Sequence, residues 1–213
     1  FYHIATDQDV PYHVYGGLQD NGSWRGPANV WENGGIRNFH WQEVCFGDGF
    51  ATMPDPQDSK QGYAMSQGGS LVRWNLHTGA SKFIQPPAPK GVKLRFHWNS
   101  AIAQDPFDPR AIYYGSQFLH RSADRGESWN VISPDLTTDN PAWQKQNESG
   151  GLTLDATGAE NHCTILTIAP SPVQKGVLWT GSDDGRVHVT RDGGASWRSV
   201  EHTIPGLPLH TWC

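Results

Sequence analysis

The residues with the clearest capacity for chemistry are carboxylates that stand beside tight-turn residues. Asp48 lies between two glycines, Glu160 precedes an asparagine, and Asp184 precedes a glycine. Hydrolysis of a glycosidic bond needs two carboxylates across the scissile bond, one of them protonated through a raised pKa. These three residues are therefore the candidates for catalysis, although the sequence does not give their separation. For Asp184 a plain Asp-Asp-Gly turn is the alternative.

A histidine or aspartate also recurs along the chain at similar intervals. His3, Asp48, His97, His162 and His210 are separated by 45, 49, 65 and 48 residues. Three interpretations are open: the side chains solvate exposed turns, they orient a sugar, peptide or anion beside a tryptophan, or imidazoles and Asp48 ligate a metal. Equivalent positions of neighbouring repeats are too far apart to share one ion. We therefore predict no metal and no cofactor.

Charge and composition exclude several classes of function. The net charge is −5 and the isoelectric point is near 6.0, which is unlike the basic surface of a nucleic-acid binder. No apolar run approaches the roughly 18 residues of a membrane span. The three cysteines form no CxxC pair, so a zinc ribbon has no support. The chain opens inside an apparent strand and stops abruptly, and we expect it to be a piece of a longer protein.

An internal repeat predicts the fold. Four segments share an apolar strand, a second strand ending in small residues, and a polar glycine turn, with Gly17, Met65, Gly115 and Gly181 as equivalent positions. The last interval contains an insertion at 137–159. Repeats of 40–50 residues with four strand signals are typical of a propeller. We predict an all-β propeller with four-stranded blades at 1–46, 47–90, 91–161 and 162–209, and the start of a further blade at 210–213.

Two of these repeats carry the same octet, Ser/Thr-x-Asp-x-Gly-x-Ser-Trp. Hydroxyl and carboxylate can bond the amides of the turn, glycine accepts a positive φ, and tryptophan pins the hairpin to its blade. We therefore interpret both octets as structural, and reject catalysis by their aspartates. The residues in these roles are Ser122, Asp124, Gly126 and Trp129 in one octet, and Thr190, Asp192, Gly194 and Trp197 in the other.

The octet resembles the Asp-box, or BNR, repeat. Through this octet and stretches such as "GGLQDNGSWRGP", "LRFHWNS" and "LWTGSDDGRVHV", the chain is similar to the sortilin N-terminal type of β-propeller. Bacterial members of this type are often labelled glycosyl-hydrolase-like repeat proteins. The resemblance implies a propeller, structural Asp boxes, and export from the cytoplasm, so we expect an extracellular or periplasmic location.

Strand parity predicts which face of the propeller holds a site. In an up-and-down blade, the turns between the second and third strands share one face with the segments that lead into each first strand. The octets lie on the opposite face. We therefore predict a ring of polar side chains around the mouth of the central channel, with Trp98 or Trp212 as a stacking surface. The predicted binding residues are Gln19, Asp20, Asn21, Asp48, His97, Asn99, Gln117, His162, Asp183 and Asp184.

These patterns favour a binding or scaffold role, with a carbohydrate, protein or peptide as the ligand. A propeller-type glycoside hydrolase that uses a carboxylate pair on the same face is the alternative. An isolated arc of four blades would expose strand edges and aromatic faces. We therefore expect the remaining blades of the same longer chain as a further partner.

Overall fold

The computed structural model describes residues 1–145 and 161–207, and the regular structure in these ranges is almost entirely β. Three short 3-10 helices are the exception: Asn38–His40, Gln67–Gly69 and Glu201–Thr203. No helix in the described ranges is long and apolar enough to cross a membrane. The strands are β1 (Ile4–Thr6), β2 (His13–Leu18), β3 (Gly22–Pro27), β4 (Gln42–Cys45), β5 (Thr52–Asp55), β6 (Asp58–Ser66), β7 (Ser70–Asn75), β8 (Ala80–Phe83), β9 (Ile102–Asp105), β10 (Asp108–Gly115), β11 (Leu119–Ser122), β12 (Asn130–Val131), β13 (Ile165–Pro170), β14 (Leu178–Ser182), β15 (Val187–Thr190) and β16 (Arg198–Ser199).

These strands form four sheets of four strands each. In every sheet the strands follow one another along the chain and pair antiparallel with their neighbours in sequence, from β1 to β4, β5 to β8, β9 to β12 and β13 to β16. The tight turns contain residues with positive φ, such as Asp20 at 62° and Gly185 at 88°. This architecture confirms the all-β prediction. The proposed blade limits stay a prediction.

The chain divides into two compact units. The first, Phe1–Gln85, contains the sheets β1–β4 and β5–β8, whose facing sides bury Tyr15, Val44, Ala64 and Trp74. The rings of Tyr15 and Trp74 stack with centroids 6.0 Å apart.

The second unit, Pro86–Cys213, contains the sheets β9–β12 and β13–β16. Burial of apolar surface is the main term that holds such sheets together. The core of this unit consists of Ala101, Tyr113, Leu119, Leu136, Ile165 and Leu178.

A buried polar contact recurs at the end of the first strand of two sheets. Tyr15 donates its hydroxyl to the Asp7 carboxylate at 2.8 Å, and Tyr113 donates to Asp105 at 2.7 Å, in both cases eight residues apart. Arg25 lies opposite Tyr15 on the next strand and donates to its oxygen at 2.9 Å. Because an unpaired phenol or carboxylate is costly inside a protein, these contacts hold the first three strands of a sheet in register.

The same register recurs in two more places. Arg73 lies opposite Tyr63, and Arg121 lies opposite Tyr113. The tyrosine–arginine pair between the second and third strands is therefore present in three of the four sheets. In the sheet β13–β16 the corresponding pair is Trp179 with Val189.

Candidate functional site

A side chain in the turn after a second strand fastens the segment that leads into a first strand. Gln67 Oε1 accepts the amide of Asp48 at 2.8 Å, and Gln117 Oε1 accepts the amide of Arg95, also at 2.8 Å. Asp183 Oδ1 accepts the amide of the residue before β13 at 2.9 Å. These side chains therefore have a folding role that the sequence pattern did not reveal.

In the first unit, the predicted binding residues of the turn after β2 lie together. Asp48 Oδ1 accepts the amide of Asp20 at 2.9 Å, and Gln19 Oε1 accepts the hydroxyl of Tyr2 at 2.8 Å. Asn21 donates its amide group to the backbone oxygen of Gln19 at 3.0 Å. Asp48 is 8% exposed, so its carboxylate serves this loop and presents little surface to a ligand.

In the second unit, Arg95 anchors the start of the predicted insertion. Its guanidinium donates to Asp135 at 2.8 Å and forms an ion pair with Asp139 at 2.9 Å. It also donates to the hydroxyl of Thr137 at 3.2 Å and to the backbone oxygen of Cys163 at 3.2 Å. One side chain therefore fixes 135–139 against the segment before β13. In the sequence, only the two aspartates of the segment 135–139 hinted at a partner for this arginine.

Asp184 is held by three hydrogen bonds. It accepts the amide and the hydroxyl of Thr138, both at 2.7 Å, and the hydroxyl of Ser182. Burial alone would raise the pKa of Asp184, but these hydrogen bonds outweigh it and hold the pKa below its usual value. The carboxylate therefore stays ionised and cannot act as a general acid near neutral pH.

The neighbouring Asp183 responds in the opposite direction. Its side chain is 1% exposed, and burial raises its pKa above the usual value despite two hydrogen bonds from Thr164, at 2.9 Å and 2.6 Å. Both oxygens are occupied inside the fold, so a substrate does not reach this group.

The predicted histidine His162 lies near this pair, and His97 lies near His162. The imidazole of His162 is 3.7 Å from Asp183, and its ring meets Trp143 edge to face at 6.1 Å. His97 is 7% exposed, and burial, together with the nearby His162, lowers its pKa. His97 Nδ1 accepts the amide of Asn99 at 3.1 Å. His97, Asn99 and His162 therefore lie together in the second unit, with His162 next to Asp183.

A cleft of about 380 Å³ opens beside Asp184, and we call it the Trp143 cleft. A local turn positions the indole of Trp143. In this turn the Asn140 side chain accepts the backbone amide of Ala142 at 2.9 Å, and the Asn140 backbone oxygen accepts the backbone amide of Trp143 at 3.0 Å. On the other side Arg186 and Glu201 form an ion pair at 2.6 Å. The lining residues are Thr138, Asp139, Asn140, Pro141, Trp143, Asp184, Gly185, Arg186 and Glu201.

The octet between β11 and β12 is closed by its own side chains. Ser122 donates to Asp124 at 2.7 Å and accepts the amide of Gly126 at 2.7 Å. The hydroxyl and amide of Ser128 donate to the same carboxylate at 2.6 Å and 2.9 Å, which lowers the pKa of Asp124 to about 2. The ring of Trp129 contacts Tyr114, with centroids 6.4 Å apart.

The octet between β15 and β16 repeats this pattern. Thr190 donates to Asp192 at 2.7 Å and accepts the amide of Gly194 at 3.0 Å. Hydrogen bonds from Ser196 lower the pKa of Asp192 to about 2. The indole of Trp197 donates to the backbone oxygen of Ile132, the residue after β12 in the same unit, at 2.9 Å.

One group of side chains in the first unit has the residue types of a metal site. The ligand atoms of Asp7, Asp9 and His13 lie within 4.8 Å of one another. However, Asp7 already accepts the amide of His13 at 2.9 Å, its imidazole nitrogen at 2.8 Å and the hydroxyl of Tyr15 at 2.8 Å. These contacts explain the group as part of the fold.

Four further residues were predicted for the ring, the catalytic pair or the stacking surface. His3 is exposed. Glu160 and His210 lie outside the described residues, as does Trp212. Sequence reasoning missed Arg95, Thr138 and Trp143, which position or line the cleft.

Comparison with known proteins identifies the fold. No protein-family model and no curated protein matches the chain. Among solved structures, it is similar to the GH74 xyloglucanase from Xanthomonas campestris, with a TM-score of 0.55 and 18% identity over 92% of this chain and 29% of that one. An ancestral GH74 enzyme gives a TM-score of 0.52 and 15% identity over 92% of this chain and 24% of that one.

A third similar structure is YCF48 bound to D1 peptide, with a TM-score of 0.39 and 14% identity over 67% of this chain and 37% of that one. The two GH74 structures are β-propeller proteins, which confirms the predicted fold class. The chain spans less than a third of the length of the two GH74 structures. At these identities the likeness concerns the fold alone.

Proposed function

We propose that the chain is the binding module of a larger β-propeller and that it binds carbohydrate in the Trp143 cleft. The observation that carries this proposal is an aromatic ring beside fixed polar groups in an open cleft. The C–H face of a sugar can stack on the indole of Trp143 while its hydroxyls bond Asn140 and Arg186. A concave site with one apolar face and a few polar groups fits a sugar better than it fits the flat surface of a protein partner.

Glycoside hydrolysis is the alternative, and the electrostatics of the cleft favour it less. A hydrolase needs a substrate-facing acid with a raised pKa. Burial would raise the pKa of Glu201, but hydrogen bonds from Ser199 and Arg186 lower it to about 2. The pKa of Asp184 is also lowered, and Asp183, whose pKa is raised, is enclosed. Asp48 lies in the other unit.

The test is a panel of soluble polysaccharides and oligosaccharides applied to the full-length protein, read for both binding and release of reducing ends. We expect binding without turnover, and we expect Trp143→Ala to weaken it about tenfold or more, since stacking area is lost. Trp31→Ala is the matched control, because Trp31 is 95% exposed in the first unit. Turnover that Asp184→Asn or Asp48→Asn abolishes in a folded protein would support the hydrolase instead.

We further propose that the two octets are Asp boxes of the BNR type and that the protein is exported. Their matching hydrogen bonds support the first statement, and the resemblance to sortilin-type propellers supports the second. Cell fractionation tests export. If the protein is exported, it should be recovered in the fraction outside the cytoplasm. We also propose that further blades of the same chain complete the propeller.

A further inference from the structure

The floor of the Trp143 cleft contains a carboxylate whose hydrogen-bond donors are uncharged. Asp184 is 3% exposed, and it accepts the hydroxyl of Ser182 and the amide and hydroxyl of Thr138. Such donors stabilise the anion without cancelling its charge. Because a buried charge is weakly screened by water and salt, the negative potential of Asp184 extends into the cleft.

The other charged groups around the cleft do not reverse this potential. The two guanidiniums, of Arg95 and Arg186, are already paired, Arg95 with Asp135 and Asp139, and Arg186 with Glu201. Within the part of the chain that the structure describes, these two guanidiniums are set against the carboxylates of Asp135, Asp139, Glu201 and Asp184, and the enclosed Asp183 lies beside them. The cleft therefore has an excess of negative charge, even though Arg186 is exposed at its rim.

We propose that the Trp143 cleft selects glycans without carboxylate, sulfate or phosphate groups, and that Asp139 and Asp184 are the residues that repel acidic sugars. This inference rests on the proposed function and adds the charge of the ligand to it. An acidic sugar stacked on Trp143 would place a like charge close to Asp184 in a partly enclosed space. Repulsion of that kind is large enough to weaken binding by about a factor of ten or more.

The experiment compares matched pairs of oligosaccharides that differ only in charge. One pair is a β-1,4-glucan hexasaccharide and its C6-oxidised, carboxylated form; the other is a β-1,4-mannan hexasaccharide and the corresponding mannuronate oligomer. Binding is measured by calorimetry at an ionic strength of about 0.01 M, where the screening length is about 30 Å. We expect the neutral member of at least one pair to bind and its acidic partner to bind about tenfold more weakly.

Two further measurements separate charge from shape. Raising the salt to about 1 M shortens the screening length to about 3 Å and should narrow the difference between the partners. Asp139→Asn removes one charge from a side chain that is 61% exposed. It should reduce the ratio of the two affinities, neutral over acidic, about threefold at low salt. Glu127→Gln is the control, because Glu127 is an exposed carboxylate in the octet between β11 and β12 and does not line the cleft. This variant should leave the affinity difference between the neutral and the acidic sugar unchanged.

The outcomes distinguish this inference from the proposed function. Equal or tighter binding of the acidic partners overturns the charge selection and leaves carbohydrate binding standing. A preference for the neutral sugar that neither salt nor Asp139→Asn changes also overturns it, since shape would then explain the selectivity. If no oligosaccharide and no polysaccharide of the panel binds, both proposals fail.

Discussion

At the scale of single residues, neighbouring carboxylates of this protein behave in opposite ways because their hydrogen-bond partners differ. Asp183 and Asp184 are adjacent and both buried. Asp184 receives enough donors to offset burial, whereas burial prevails at Asp183, and the charge of Asp184 adds to the effect. The sequence Asp-Asp-Gly predicts a turn but does not distinguish the two side chains, because their donors come from distant Thr138 and Thr164.

These two pKa shifts predict opposite dependences of stability on pH. Asp184, with a lowered folded pKa, stabilises the fold above the unfolded pKa of about 3.9 and loses that contribution as the pH falls further. Asp183, with a raised folded pKa, gives stability that increases as the pH falls toward about 3.9. Urea unfolding of Asp184→Asn and Asp183→Asn against the parent protein should give pH slopes of opposite sign. Slopes of the same sign would contradict these assignments.

The buried tyrosine of the first sheet offers a second test at this scale. The Tyr15 hydroxyl lies within hydrogen-bond distance of Asp7 and of the backbone oxygen of Ser59, and it accepts from Arg25, so Tyr15→Phe leaves buried partners unsatisfied. We expect a loss of about 2–3 kcal/mol in the free energy of unfolding. Tyr12→Phe, at a site that is 48% exposed, should change it by less than about 0.5 kcal/mol. Equal effects would remove the special role of Tyr15.

At the scale of elements, the octet turns show how a short pattern fixes a hairpin. The hydroxyl of Thr190 and the carboxylate of Asp192 accept the amides of the turn. The indole of Trp197 binds the hairpin to the backbone oxygen of Ile132, which follows β12. This much follows from the residue types. The hydrogen bonds from Asp48 to Gln67 and from Arg95 to Gln117 do not follow from the residue types. Each joins two segments about twenty residues apart, and no local sequence pattern marks either partner.

Adjacent glycines in the second octet allow a matched comparison. Both have positive φ, 71° at Gly193 and 103° at Gly194. An added Cβ at Gly194 would lie 2.5 Å from the backbone oxygen of Ile132, whereas at Gly193 nothing lies within 4 Å. Gly193→Ala should cost about 1 kcal/mol for the left-handed backbone, and Gly194→Ala about 3 kcal/mol or more. Thermal and urea unfolding measure both, and similar losses would mean that the contact with Ile132 is unimportant.

At the scale of the whole molecule, the repeats were sufficient to predict the fold and insufficient to predict the site. Spaced glycines and octets predicted an all-β chain of four-stranded sheets, since such signals are local and recur. The Trp143 cleft depends on the irregular segment after Leu136, which breaks the repeat and is anchored by Arg95. Long-range ion pairs of this kind leave no periodic trace. The predicted ring of His3, Asp48, His97, His162 and His210 stays a prediction.

The most direct test of the central claim observes Trp143 itself. Each of the ten tryptophans of this chain gives an indole N–H signal in a nitrogen-15 spectrum, and Trp143→Phe assigns the signal of Trp143. Titration with a neutral oligosaccharide that binds should shift the Trp143 signal, while those of Trp129 and Trp197, at the octets, stay in place. A bound sugar that shifts other indoles and leaves Trp143 unchanged would contradict carbohydrate binding in this cleft.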